Sequence, residues 1–240
     1  MSGPDGGDET DTARPGPATD DSRAGISATD EELVEGWVSA RLREEFPRLR
    51  LRYLEVEATE GRTGRSVRRR LRVMSDRFTG GKAVNMRLEP VPSAFRTFYR
   101  QVGIDPDQRR PAAEEVAVRR MQEGAYLSRG RVGDALTIAV AETGVPVLAF
   151  DAAALTGPLG LRLSRRDEVL GEEGRSLTGG EIVVADARRA VAVLFVDQSA
   201  KTSVGRGTER IALAAVGVEG VPAISIEEAL WTAAEALVER

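Results

Sequence analysis

Apolar residues recur every three or four positions in several stretches of the chain, which is the spacing of an amphipathic helix. Two of these stretches begin with Ser or Thr and carry Glu three residues later, an arrangement that closes the first turn of a helix. Three others end at a glycine, which suits the left-handed position after a helix. The pattern predicts helices over Thr29–Glu45, Gly64–Phe78, Phe95–Val102, Pro111–Gly124 and Val132–Ala141, and a last one from Ser225.

Short runs of β-branched and other apolar residues predict strands in the rest of the chain. Leu49, Leu51 and Tyr53 alternate with arginines, which indicates one buried face. The run 191–196 does not alternate, and this is typical of a strand covered on both faces. The predicted strands are Leu49–Val56, Val145–Phe150, Leu159–Leu163, Glu181–Ala185, Ala190–Val196 and Ile211–Val218. Helices and strands together predict an α+β fold, a layered β-sheet or sandwich of short strands with packed helices.

Composition excludes several classes of chemistry. The 240 residues include neither cysteine nor histidine, which rules out disulfides, thiolate nucleophiles, Ser-His-Asp triads and metal sites built from Cys or His. The glycine-containing segments 61–66 and 205–208 lack the spacing of a phosphate-binding loop, so we expect no cofactor and no metal. No apolar run approaches about 20 residues, and the first residues are polar. We therefore expect a cytoplasmic protein without a signal peptide or a membrane partner.

Charge is spread unevenly along the chain. Residues 1–35 carry ten acidic and two basic side chains, although the whole chain has a net charge of only −4. Residues 1–28 contain almost nothing to bury, so they are predicted to be a disordered acidic tail before a single domain at 29–240. The remainder is mildly basic, which permits contact with the phosphates of a nucleic acid.

Two groups of arginines are candidates for that contact. Arg68, Arg69 and Arg70 lie on a predicted amphipathic helix, and Arg109 and Arg110 lie at the corner between two later helices. Guanidinium groups this close together can hold RNA phosphates. The alternative is a solvated helix face whose aliphatic stems cover apolar surface.

The segment 99–120, YRQVGIDPDQRRPAAEEVAVRR, resembles the editing domain of the phenylalanyl-tRNA synthetase beta chain, also called the B-three/B-four tRNA-binding domain. Later segments keep the order and spacing of that family: VGDALTIAVAETGVPVLAFD, GGEIVVAD, DQSAKTSVG and ALAAVGVEG. The resemblance covers residues 46–221 and implies a stand-alone member. Family members within the synthetase hydrolyse tyrosine wrongly attached to phenylalanine tRNA. The resemblance therefore implies recognition of tRNA or aminoacyl-tRNA, with trans-editing deacylation as a possible activity.

The resemblance also selects the residues of a candidate substrate pocket. Asp134 opens a helix, Glu181 begins a strand, and Ser199, Lys201 and Thr202 form a polar cluster after a buried strand. A ligand carboxyl or ester oxygen is the expected partner of Lys201, and one of the two carboxylates would meet an ammonium group. No residue is assigned a catalytic role. The alternatives are an ordinary helix cap for Asp134 and a strand-exit turn for the cluster.

Four differences depart from the family pattern, and in one of them residues 194–196 replace the tryptophan-rich strand of the family. Thr137 stands where the family usually has asparagine, Phe150 stands where many members carry histidine, and Lys201 replaces an arginine before Thr202. Lysine keeps the charge but loses the planar fork of arginine. Thr137 and Phe150 favour two alternatives, whereas the kept spacing and the Ser199–Thr202 element favour the family role. The alternatives are a non-catalytic module that binds an amino acid or another small ligand, and an RNA- or protein-interaction domain with a degenerate pocket. We expect neither a complete ligase, because no ATP-binding signature is present, nor DNA as a partner.

Overall fold

The computed structural model describes Met1 and residues 32–171 and 174–239. The predicted acidic tail after Met1 and the predicted helix start at Thr29 lie outside the described residues.

Most of the predicted helices are present. The helices are α1 Ala40–Glu45, α2 Arg65–Arg77, α3 Gly80–Asn85, α4 Pro90–Gln101, α5 Ala112–Glu123, α6 Arg131–Thr143 and α7 Ala223–Val238. Single turns of 3-10 helix occupy Met86–Leu88, Ala152–Ala154 and Ala200–Thr202. The predictions of α2, α5 and α6 are confirmed to within one or two residues. Helix α4 begins five residues earlier than predicted, because Pro90 and Pro92 are tolerated in a first turn where N–H groups have no intrahelical partner.

The strands form two sheets. They are β1 Val34–Glu35, β2 Trp37–Val38, β3 Arg50–Glu57, β4 Val147–Asp151, β5 Gly160–Leu163, β6 Ile182–Ala185, β7 Ala190–Val193, β8 Asp197–Gln198 and β9 Arg210–Gly217. The first sheet has the order β1-β3-β9-β4 and is antiparallel throughout. The second sheet has the order β2-β5-β6-β7-β8, in which only the β2–β5 pair is parallel. The α+β prediction is confirmed.

Strand β9 lies at the centre of the first sheet and of the core. Residues from Ile211 to Gly217 are all buried, and since successive side chains of a strand point to opposite faces, both faces of β9 are covered. Helix α7 packs against β9 and β3, while β2 and β5 bring the second sheet against β3. The helix approaches so closely that a Cβ at Gly217 would lie 2.2 Å from Ile226 Cδ1.

The predicted helix over residues 29–45 is wrong for residues 32–39, the described part that precedes α1. Val34–Glu35 and Trp37–Val38 form β1 and β2 instead, and Ala40–Glu45 is helical as predicted. Gly36 marks the change from one sheet to the other: its N–H donates to Leu51 O at 2.9 Å, and the next N–H, of Trp37, donates to Leu159 O at 3.2 Å. A Cβ at Gly36 would lie 2.8 Å from Leu159 O. Pairing with two distant strands therefore overrides the local apolar spacing.

The predicted start of the last helix is also wrong. Helix α7 begins at Ala223, with Pro222 as its N-cap, so Ser225 lies inside the first turn and no side chain caps this end. The fixed φ of proline, here −61°, suits the entry to a helix and removes the need for a Ser225–Glu228 capping box.

An ion pair next to β5 gives the fold a testable acid dependence. Arg162 Nη1 donates to Glu168 Oε2 at 2.8 Å, and the backbone N–H of Arg165 donates to the same oxygen at 2.9 Å. The hydrogen bond from Arg162 lowers the pKa of Glu168 below its ordinary value, although burial opposes the shift. A lowered folded pKa contributes stability above the unfolded value, and that stability is lost as pH falls through the folded pKa.

Glu168→Gln is therefore expected to lower the free energy of unfolding at pH 7 by about 1–2 kcal/mol and to flatten the loss of stability below about pH 4.5. Urea unfolding between pH 3 and pH 7 measures both effects. Glu228→Gln, at an exposed position, is the matched control. Parallel pH profiles for the two variants would contradict a stabilising role for the Glu168 carboxylate.

Candidate functional site

Four arginines project from one side of α2. Val67 and Leu71 are buried on the inner side of the helix, and Ser75 follows them one turn later. The outer side carries exposed arginines at helical spacing, which we call the arginine face: Arg65, Arg68, Arg69 and Arg72. They line a shallow recess together, and no ion pair within residues 32–171 and 174–239 involves any of them. The arginine face is thus a cationic surface whose charge is not neutralised by the described part of the fold.

Arg70 has a different role from its neighbours. Its Nε and Nη2 donate to Glu142 of α6 at 3.0 and 2.6 Å, a two-point contact that ties α2 to α6. Of the three arginines predicted on this helix, Arg68 and Arg69 therefore face solvent, and Arg70 already has a carboxylate partner.

Arg109 and Arg110 lie on the exposed corner between α4 and α5. Arg109 Nη1 donates to the carbonyl oxygen of Phe195 at 3.3 Å, so this side chain also supports a turn of the second sheet. The corner itself is fixed by Arg96, whose Nη1 donates to both oxygens of Glu114 at 3.0 and 2.9 Å. Arg96 and Glu114 are both buried.

Asp134 is the centre of a buried hydrogen-bond cluster at the start of α6. Its Oδ2 accepts from Thr63 Oγ1 at 2.5 Å and from Ser128 Oγ, and its Oδ1 accepts from the N–H of Arg129 at 2.7 Å. Only 1% of the residue is exposed. We call Asp134, Thr63 and Ser128 the Asp134 cluster. Thr63 directly precedes Gly64, which is the N-cap of α2. The Asp134 cluster therefore holds the start of α2 in place.

Two neighbouring residues support the same helix end. Glu60 Oε2 accepts from the N–H of Val132 at 3.1 Å, so a second carboxylate lies at the N-terminus of α6, where negative charge is favourable. Thr137, one turn further on, donates its hydroxyl to Gly133 O at 2.7 Å. Both oxygens of Asp134 therefore accept hydrogen bonds within the protein, although none comes from a backbone N–H of α6 itself.

The polar cluster that directly follows β8 forms a compact turn. The hydroxyl of Ser199 accepts from the N–H of Lys201 at 3.3 Å, and the carbonyl of Ser199 accepts from Thr202 Oγ1 at 3.3 Å. Ser199 and Thr202 are buried, whereas Lys201 is exposed. Phe150 is completely buried, and its backbone bridges to Ser203 at the end of the same turn. The structure therefore brings Phe150 next to the Ser199–Thr202 turn.

Glu181 lies in another part of the molecule, at the start of β6. Burial alone would raise the pKa of Glu181, but hydrogen bonds from Arg175 Nη2 at 2.7 Å and Thr178 N at 3.0 Å more than offset it and lower that pKa. The carboxylate lines a cavity of about 410 Å³ between α1, the end of α4 and the second sheet. The predicted pocket residues thus fall into three groups: Asp134 with Thr137, Phe150 with the Ser199–Thr202 turn, and Glu181 at the cavity.

The same cavity contains a residue that the sequence did not identify. Phe195 was assigned to a strand, but β7 ends at Val193 and Phe195 adopts a φ of 60° in the following turn. A left-handed conformation at a bulky residue costs about 1–3 kcal/mol and is kept only where the surroundings impose it. Here the ring stacks on Tyr99, with centroids 4.8 Å apart. The spacing of apolar residues is the same in such a turn as at the end of a strand, so the sequence does not distinguish the two.

Two further properties bear on the kind of protein this is. Among the described residues, no helix is both long and apolar enough to cross a bilayer. In the same part of the chain, Asp and Glu side chains form no group of three or more that could hold a metal ion.

Sequence comparison shows what the chain is similar to. It is 32% identical over 132 residues to the phenylalanine–tRNA ligase beta subunit of Nocardia farcinica, a match that covers 53% of this chain and 16% of that subunit. It is 35% identical over 83 residues to the corresponding subunit of Psychrobacter arcticus, covering 33% of this chain and 10% of that subunit. The chain therefore spans only a small part of the length of either relative.

The family comparison covers more of the chain. Residues 94–240 match the sequence model of the B3/4 domain, which includes α5, α6, α7 and the strands from β4 to β9. Helix α2 and its arginine face precede the matched residues. The match spans more than half of the sequence and confirms the resemblance found from its motifs: this chain belongs to the B3/4 domain family.

Proposed function

We propose that this chain binds tRNA through the arginine face of α2. The observation that carries the proposal is the exposure of Arg65, Arg68, Arg69 and Arg72 on one side of a helix, without an ion pair in the described part of the chain. Unpaired guanidinium groups at this spacing can each release a counterion from an RNA phosphate. The relatives are subunits of a tRNA ligase by name, which makes tRNA the first RNA to test.

Replacing the four arginines together with glutamine is expected to weaken tRNA binding about 100-fold at 100 mM salt. The slope of log K against log salt should also become shallower by about 2–4, because each lost phosphate contact removes roughly 0.7–0.9 from it. Filter binding or fluorescence anisotropy over 50–300 mM NaCl provides both quantities.

Two control variants separate this effect from a change in net charge. Arg166, Arg188 and Arg206 are exposed arginines elsewhere in the chain, and their joint replacement should leave the slope within about 1 of wild type. Arg70→Gln should change the slope less than Arg68→Gln, because Arg70 already pairs with Glu142. Equal slopes for wild type and the arginine-face variant would refute the proposal.

The finer proposal is hydrolysis of the ester bond in a misacylated tRNA, in a cytoplasmic protein. An aminoacyl ester is already activated, so a deacylase needs a positioned water, backbone donors and a shaped pocket more than a side-chain nucleophile. The hydroxyls and amide groups of the Ser199–Thr202 turn, together with Lys201, are the groups we propose for this role. Release of amino acid from a panel of misacylated tRNAs, compared with buffer and with Lys201→Ala, tests it. If the rate of amino acid release equals the rate in buffer for every tRNA, the proposed hydrolysis is refuted and the proposal is reduced to tRNA binding.

A further inference from the structure

The cavity beside Glu181 has the size and the mixed lining of a small-molecule site. Its volume of about 410 Å³ falls within the roughly 300–1,000 Å³ that is usual for ligand pockets. It is open to solvent between α1 and the end of α4, and the second sheet forms its base. Neither the arginine face nor the Asp134 cluster contributes a lining residue.

One wall of the cavity is a rigid aromatic surface. Phe195 stacks on Tyr99 with ring planes 25° apart, and Phe95 and Phe98 meet it edge-on at centroid distances of 5.8 and 6.1 Å. Phe46 lines the same cavity and packs edge-on against Phe98 at 5.2 Å. Because Phe195 is also held through its backbone, the wall is preorganised for a flat or apolar body.

The negative groups around this wall are two carboxylates and a helix C-terminus, and one of the carboxylates, Glu181, is already paired with Arg175. Glu181 is kept ionised by Arg175 and Thr178, and Glu45 lies at the exposed end of α1. Gln101 is the last residue of α4, so the partial negative charge of a helix C-terminus also faces the cavity. Arg41 is the opposing charge, one turn before Glu45, and no ion pair among the described residues joins either of them.

We propose that this cavity binds a small organic cation with an apolar body, such as an aromatic or alkyl amine. The ammonium group would lie against Glu45, the lining carboxylate that has no ion pair among the described residues, and the apolar body would contact Phe46 and Phe195. Aromatic rings attract cations through their negative faces, and the Glu45 carboxylate and the C-terminus of α4 add to that attraction. An anion of the same shape would face the Glu45 carboxylate and the C-terminus of α4, with Arg41 as its favourable partner, while Arg175 already pairs with Glu181. The site is independent of the proposed tRNA surface.

The probe for this proposal is the 2-phenylethylammonium ion, compared with 3-phenylpropionate and 3-phenylpropanol as anionic and neutral counterparts. Titration of the full chain, followed by ligand-observed NMR and calorimetry, should give a dissociation constant on the order of 1 mM for the cation. The anion should bind at least about tenfold more weakly, and the neutral alcohol should fall between them.

Three exposed or partly exposed positions make the test specific to this cavity. Glu45→Gln should weaken the cation about fivefold, and Arg41→Gln should tighten it about threefold, since removing the guanidinium removes a repulsion. Phe46→Ala should weaken all three probes together. Unchanged tRNA affinity and an unchanged melting temperature in Glu45→Gln would show that the variant is folded and that the two surfaces are separate.

The proposal is overturned by any of three results. These are an anion that binds as tightly as the cation, a Glu45→Gln variant that matches wild type within twofold, or no saturable binding of any probe up to about 10 mM, well above the expected constant. Loss of tRNA binding in the arginine-face variant with amine binding retained would support both sites separately.

Discussion

Glu114→Ala is expected to lower the free energy of unfolding by about 3–5 kcal/mol, the largest effect we predict for a single substitution. Glu114 and Arg96 are buried, with side-chain exposures of 9% and 10%, and Arg96 Nη1 contacts both carboxylate oxygens. Removing the carboxylate leaves a buried guanidinium whose remaining ion-pair partner is Asp107, at 2.5 Å on the exposed side of the corner. For a chain of this size the melting temperature should fall by about 6–20 °C.

Glu115, the next residue, supplies a matched control. Its pair with Arg119 is exposed and spans one helical turn at 2.6 Å, so Glu115→Ala should cost at most about 0.5 kcal/mol. The double variant Arg96→Met, Glu114→Met should recover much of the loss, because an apolar pair of similar volume needs no desolvated charges. Urea unfolding of the four proteins measures these differences. Losses for Glu114→Ala and Glu115→Ala within 1 kcal/mol of each other would show that the buried pair is not what fixes the corner.

Asp134→Ala is expected to lower the free energy of unfolding by about 2–4 kcal/mol, with a fall in melting temperature of about 5–15 °C. The substitution leaves two hydroxyls and one backbone N–H without their acceptor in a buried position. It also removes the hydrogen bond from Thr63 that connects the start of α2 to α6. Calorimetry of wild type and variant measures the change.

Asp134→Asn separates a structural role from a chemical one. The amide keeps one acceptor oxygen and nearly the same shape, so its stability should lie between wild type and Asp134→Ala. Thr63→Val, which removes one donor of the cluster, should cost about 1–2 kcal/mol and be less than additive with Asp134→Ala, because the two share one hydrogen bond. A normal melting temperature in Asp134→Asn together with lost deacylation would instead place this carboxylate in the reaction.

The spacing of apolar residues and the positions of glycines predicted those helices whose bounds are set by neighbouring residues in the sequence. The apolar spacing of α2, α5 and α6 identified these helices, and Gly103, Gly124 and Gly144 adopt the left-handed φ values of 78°, 76° and 75° expected after a helix. The segment 34–38 was misassigned because its partners are β3 and β5, which lie far away in sequence. Apolar spacing within a window of this length carries no information about such pairing.

The candidate site was predicted less well than the fold, because its contacts also join residues that lie far apart in the sequence. Asp134 was identified, but one of its partners, Thr63, lies 71 residues earlier and belongs to no motif. Arg69 and Arg70 are adjacent and chemically identical, yet one faces solvent and the other pairs with Glu142; only the packing of α6 distinguishes them. The cavity beside Glu181 combines residues from α1, α4 and the second sheet, and no short stretch of sequence contains enough of them to be recognised.

The pairing of β3 with β9 has a consequence for how this chain is made. Residues 50–57 pair with residues 210–217. The backbone N–H and C=O groups on that edge of β3 therefore have no partner strand until roughly 150 more residues have been translated. At about 5–20 residues per second this interval lasts about 8–30 s. During that time a nascent strand whose apolar residues are Leu51, Tyr53, Leu54 and Val56 leaves the ribosome with an open edge. We expect the chain to depend on co-translational chaperones, and synonymous codon changes that slow translation between β3 and β9 should increase aggregation without changing any residue.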